Sequence, residues 1–175
     1  MNRKSGKSAL YLELLIPCLI FVILTSCENM KDDPLYVGTW QFTETINTDG
    51  LVFNTIRTMK LTKKTYEETY SVQRQNSASI SEIIGTRGNL VLTHSSMVFQ
   101  LKGLGACSRD ASDICTGTVQ WYSENSQYWT DNIQFFKLVI PGEFKAETAK
   151  LWLTRDLNTD GDTDDAGENV VFERI

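Results

Sequence analysis

Six residues in ten are Asp or Asn in the stretch Asp156-Leu157-Asn158-Thr159-Asp160-Gly161-Asp162-Thr163-Asp164-Asp165, a density of oxygen donors that suits a hard cation. Asp156, Asn158 and Asp160 take the first, third and fifth places of a calcium loop, and Gly161 stands where the chain must turn sharply. Asp162 and Asp164 add two further carboxylates. The pattern then breaks off. The twelfth place, which needs a bidentate Glu, holds Gly167, and Glu168 comes one place late. The flanks, 151–154 and 170–172, read as strands. Two readings stay open: a calcium-binding hairpin loop, or a solvated acidic turn. Five carboxylates this close repel one another unless hydrated or neutralised.

Other reactive side chains are few. Of the four cysteines, Cys107 and Cys115 lie eight positions apart in a polar stretch, which in an oxidising compartment predicts a disulfide-closed loop. A zinc site is the rival, but zinc takes four Cys or His ligands and His94 is the one histidine. His94 has no identifiable Ser or Cys partner, and Glu67, Glu68, Glu82 and Glu124 are scattered, so the inventory favours a protein that is not an enzyme. Trp121, Tyr122, Tyr128 and Trp129, followed by Phe135 and Phe136, are expected on two neighbouring strands. There they would serve as core, as walls of a ligand pocket, or as an outer platform for sugars. Tyr66 and Tyr70 share a strand face with Glu68 between them, and Arg57 stands among apolar neighbours. Arg57, Tyr66, Tyr70, Trp121 and Trp129 are therefore the candidate ligand contacts.

The elements that must position these groups are strands. The chain has 175 residues, 41% hydrophobic and 22% charged, with three prolines, enough for one modest core. From Tyr36 onward the apolar pattern has period two, and no stretch of ten residues carries a helical stripe. Strands are expected at about 40–46, 51–61, 66–73, 79–86, 89–94, 97–102, 117–123, 132–140, 148–155 and 168–174. Turn signals stand at Asp49-Gly50, Gly88-Asn89 and Pro141-Gly142. Eight to ten short strands suit an antiparallel up-and-down barrel or a two-sheet sandwich. A formal charge of −5, with no basic cluster beyond the N-terminus, argues against a nucleic-acid partner.

The N-terminus has the layout of a signal peptide: Arg3, Lys4 and Lys7, then the apolar run 14–24. Eleven helical residues reach about 16 Å, against about 30 Å of bilayer hydrocarbon, so a permanent span is disfavoured over a cleaved leader. Leu24-Thr25-Ser26-Cys27 resembles the lipobox of bacterial lipoproteins. That resemblance implies a signal peptide over 1–26, lipid attachment at Cys27, and a polar tether over 27–35. The alternative for Cys27 is an ordinary core cysteine. Removal of 1–26 would leave a net charge of −7. The expected address is the cell envelope of a Gram-negative-type bacterium. There the chain would be an outer membrane lipoprotein, facing the periplasm or the surface, with the membrane as a partner through the lipid.

Tyr36-Val37-Gly38-Thr39-Trp40 resembles the Gly-x-Trp motif that opens lipocalins and bacterial lipocalin-like domains. Arg174, in the last strand, matches the Arg that lies against the motif Trp at the closed base of that family's eight-stranded barrel. The Thr-Asp-Tyr motif of classical lipocalins and their helix after the last strand are missing, which detaches their ligand types from this chain. The resemblance implies a lipocalin-like barrel over 36–175 that binds a small, partly apolar ligand. The alternative is a surface interaction module with a filled barrel or sandwich and a calcium-stiffened loop.

Overall fold

The alternating pattern folds as nine antiparallel strands. The structure, a computed structural model, describes residues 33–175 except Ala78, Thr159 and Ala166; the expected signal peptide and the expected lipid attachment at Cys27 lie outside the described residues. The strands are β1 (Gly38–Thr48), β2 (Leu51–Leu61), β3 (Thr65–Arg74), β4 (Ile80–Leu92), β5 (Ser96–Arg109), β6 (Cys115–Ser123), β7 (Val139–Ala146), β8 (Lys150–Arg155) and β9 (Asn169–Arg174). They pair in the order β4-β3-β2-β1-β9-β8-β7-β5-β6, and an additional β4–β5 pairing closes the ring. Eight strands thus form an up-and-down barrel, and β6 hangs outside it on the far half of β5. Eight is the number at which side chains can just fill the interior or leave room for one small ligand.

The ends of the barrel differ. At the base, β1 joins β9 through Trp40↔Arg174 and Gln41↔Glu173 alone, whereas β1 follows β2 along its whole length, from Gly38↔Leu61 to Thr48↔Leu51. The upper half of β1 therefore leans away from β9 and opens a mouth. Apolar residues fill the lower half: Trp40, Met59, Leu61, Tyr66, Met97, Phe99, Leu151, Leu153 and Phe172 form one buried cluster. All ladder pairings described, the apolar clusters and the disulfide are internal to the compact unit Pro34–Ile175, which is what a domain needs to fold by itself. Just before β1, Val37 N donates to Pro34 O at 2.8 Å.

Several boundaries depart from the sequence expectation. Gly88-Asn89 is no turn: 79–86 and 89–94 merge into β4, with a bulge between Arg87 and Gly88. A side chain at Gly88 would collide with the Gln100 carbonyl, so this glycine serves a close backbone approach. Pro141-Gly142 lies inside β7, with Pro141 one place before the β8 pairing begins at Gly142↔Arg155; a missing N–H is tolerated near a strand's start. The expected strand over 132–140 is instead the C-terminal end of a helix α1 (Gln127–Asn132), a single 3-10 turn (Ile133–Phe135) and the start of β7. Ser126 caps the helix, its Oγ accepting from Trp129 N at 3.2 Å. A six-residue helix is too short to show its period in sequence. Asp49-Gly50 is the turn expected, with φ of 53° and 78°, the signs a two-residue hairpin loop requires.

Candidate functional site

Between the filled base and the open mouth lies a cavity of about 510 Å³, lined by residues from β1, β2, β3, β4, β7 and β8 and from the segment after α1. Its volume falls within the range of small-molecule sites. Phe42, Ile46, Ile84, Phe136 and Ile140 supply apolar wall, and Phe135, 75% exposed, stands at the rim. Glu44, Tyr70 and Lys137 add polar groups.

Its floor is ionic. Parity places Arg57 on β2, Glu68 on β3 and Arg155 on β8 facing inward. Arg155 grips Glu68 bidentately, Nη1 donating to Oε2 at 2.9 Å and Nη2 to Oε1 at 2.8 Å. Arg57 Nε donates to the same Oε1 at 2.5 Å, and its Nη1 donates to the Gly167 carbonyl at 2.8 Å. Both guanidiniums rest on core aromatics: Arg155 lies 5.0 Å from the Phe99 ring centre and Arg57 5.8 Å from that of Phe172. Arg155 is 3% exposed and Glu68 8%. Burial alone would raise the Glu68 pKa, but the attraction of Arg155 and then Arg57, with their hydrogen bonds, overrides it and holds the carboxyl at about 2. Desolvation draws the Arg57 pKa downward, Glu68 opposing the shift and Arg155 adding to it. Burial first, and the Glu68 charge second, push the Tyr66 phenol up to about 12. Two guanidiniums thus share one carboxylate in the barrel interior, where unpaired charge is costly.

The five candidate ligand contacts separate. Arg57 and Tyr70 line the cavity. Tyr66 has the right parity but the wrong depth: four residues along a strand cover about 13 Å, which sets it in the base against Phe99 at 5.1 Å, edge to face. Trp121, on β6, is not among the lining residues, because β6 pairs with the part of β5 beyond the ring. Its indole covers Gly85 and Gly105, where a Cβ would fall 2.8 and 2.9 Å from ring atoms, and Arg87 lies 4.8 Å above it. Trp129 belongs to α1 and is buried with Leu101 and Leu104, anchoring the segment that delivers Phe135 and Phe136 to the cavity. Arg155 and Glu68 were not among the candidate contacts. The available signal was the alternation Leu151, Leu153, Arg155, which puts a cation on the inward face of β8.

At the base, the Arg174 guanidinium sits 4.2 Å from the Trp40 ring centre. It donates Nε to Thr148 O at 2.7 Å, Nη1 to Val37 O at 2.9 Å and Nη2 to Leu35 O, while Trp40 Nε1 donates to Tyr36 O at 2.8 Å. A Cβ on Gly38 would land on that guanidinium, which accounts for glycine two places before Trp40. Cys107 and Cys115 form a disulfide, Cα to Cα 5.6 Å, across the β5–β6 hairpin.

The acidic loop joins β8 to β9 at the mouth. Its side chains mostly cap its own backbone: Gly161 N donates to Asp156 Oδ2, Asp160 N to Asn158 Oδ1, Asp162 N to Asp160 Oδ1 and Asp164 N to Asp162 Oδ1. Among the described residues no three Asp, Glu, His or Cys are arranged to hold a metal. Glu168, 2% exposed, accepts from Leu157 N and Asn158 N through Oε1, while its Oε2 has no hydrogen-bond partner among the described residues. His94 is exposed in the β4–β5 turn. The chain matches no family model and no curated protein.

Proposed function

We propose that the chain is an extracytoplasmic lipoprotein, anchored through Cys27, whose lipocalin-like barrel holds a small, partly apolar ligand without catalysing its conversion. The observation that carries this reading is the half-filled barrel: a sealed apolar base below an open cavity with aromatic and aliphatic walls. Apolar burial would supply affinity at about 25 cal/mol per Å², and the few polar groups would fix orientation. The leader, the lipobox and a disulfide all suit the cell envelope. The competing interaction module needs a filled barrel; the packed lower half favours it, the cavity above does not. Calcium in the loop at Asp156, Asn158, Asp160, Asp162 and Asp164 is compatible with either.

Native mass spectrometry of the protein purified from its envelope, with and without a calcium chelator, tests the proposal. An adduct of a few hundred daltons that leaves on unfolding is the expected result. A bare chain would favour the interaction module.

A further inference from the structure

We infer that the ligand is an amphiphile with an anionic head, a carboxylate on an apolar chain, and that Arg57 receives the head. The inference rests on the reading of the cavity as a ligand site and names the class of ligand. Arg155 spends both terminal nitrogens on Glu68. Arg57 spends Nε on Glu68 and Nη1 on Gly167, and its Nη2 donates to no described residue. A half-buried guanidinium with a donor left over, beside a carboxylate already claimed by a second guanidinium, is a half-made anion site.

The charge around the cavity points the same way. Among the lining residues the interior charges are Arg57, Arg155 and Glu68, with Lys137 and Glu44 both exposed, whereas the chain as a whole carries −5. Glu44 is exposed at the rim and accepts from Thr55 Oγ1, while Glu68 is consumed by the floor. Deep in the cavity the two guanidiniums of Arg57 and Arg155 face the one carboxylate of Glu68. A cationic head would be set against two guanidiniums, and a neutral head would exchange water for weaker hydrogen bonds. A carboxylate takes a charge-assisted bond from Arg57 while its chain runs between Phe42, Ile84, Phe136 and Ile140 toward the mouth.

The test uses residues 34–175 with the disulfide formed. A neutral fluorophore, N-phenylnaphthylamine, is displaced by dodecanoate, dodecanol or dodecylamine below their aggregation limits, with acetate as the chainless control. Dodecanoate should displace it at concentrations about tenfold to a hundredfold lower than dodecanol, with dodecylamine weakest and acetate inactive. Arg57→Gln, which keeps hydrogen-bond donors, should bring dodecanoate to the level of dodecanol. Arg57→Lys should retain much of the preference. Dodecanol equal to dodecanoate on the unaltered protein would overturn the anionic head and leave the ligand site standing. Acetate as effective as dodecanoate would overturn the amphiphile. Failure of the fluorophore and all three long-chain compounds to bind would overturn the ligand site itself.

Discussion

Glu68 lies between two guanidiniums, and its charge holds the barrel interior together. Glu68→Gln would remove the one carboxylate that Arg57 and Arg155 share and leave a buried cation beside a half-buried one. We expect a loss of about 3–5 kcal/mol in chemical denaturation at neutral pH; a loss below about 1 kcal/mol would mean that water already screens the floor. The same residue sets an acid limit. Its folded-state pKa of about 2 lies below the ordinary value of 4.5, so its stabilisation is complete above about pH 4.5 and disappears as the pH falls toward 2. Melting temperatures between pH 6 and 2 should fall more steeply for the unaltered protein than for Glu68→Gln, and parallel curves would contradict the assignment. Arg57 and Tyr70 were legible as candidate contacts from type and parity. Arg155 was not, because a cation at the end of a strand looks the same whether it points into a barrel or into water.

Among the elements, the β5–β6 hairpin and the β8–β9 loop carry the separate stabilising devices. The disulfide closes a short loop and buries Cys107 and Cys115 against Ile83. Replacing both cysteines by serine should cost roughly 2–3 kcal/mol by the loop-entropy estimate. Dodecanoate binding should survive, since neither residue lines the cavity; loss of binding in a folded variant would show that the hairpin shapes the site. The acidic loop contributes Leu157 and Gly167 to the cavity wall. If it takes calcium, millimolar calcium should raise the melting temperature, and Asp156→Asn with Asp160→Asn should abolish the rise; an unaltered melting temperature in calcium leaves a solvated turn. The strands were legible from period two. The helix α1 was not, since six residues show no period and Ile133 and Phe135 alternate like a strand.

For the whole molecule, the proposal joins a lipid anchor to a ligand-holding barrel. Cys27→Ala should abolish metabolic labelling with a radioactive fatty acid and release the chain from membranes, while labelling that persists would place the lipid elsewhere. The sequence by itself determined the all-β class, the disulfide pair and the partnership of Gly38, Trp40 and Arg174. Alternation is a local property, Cys107 and Cys115 stand eight positions apart in one polar stretch, and the partnership of Gly38, Trp40 and Arg174 followed from the resemblance to the lipocalin motif. Only the tertiary structure decided that the ring closes with eight strands, that Trp121 and Trp129 lie outside the cavity, and that Arg57, Glu68 and Arg155 meet. Those three residues stand on three strands, and 87 positions separate Glu68 from Arg155. Parity tells which face a side chain takes but not its height along the barrel axis, and height is fixed only when the strand registers lock.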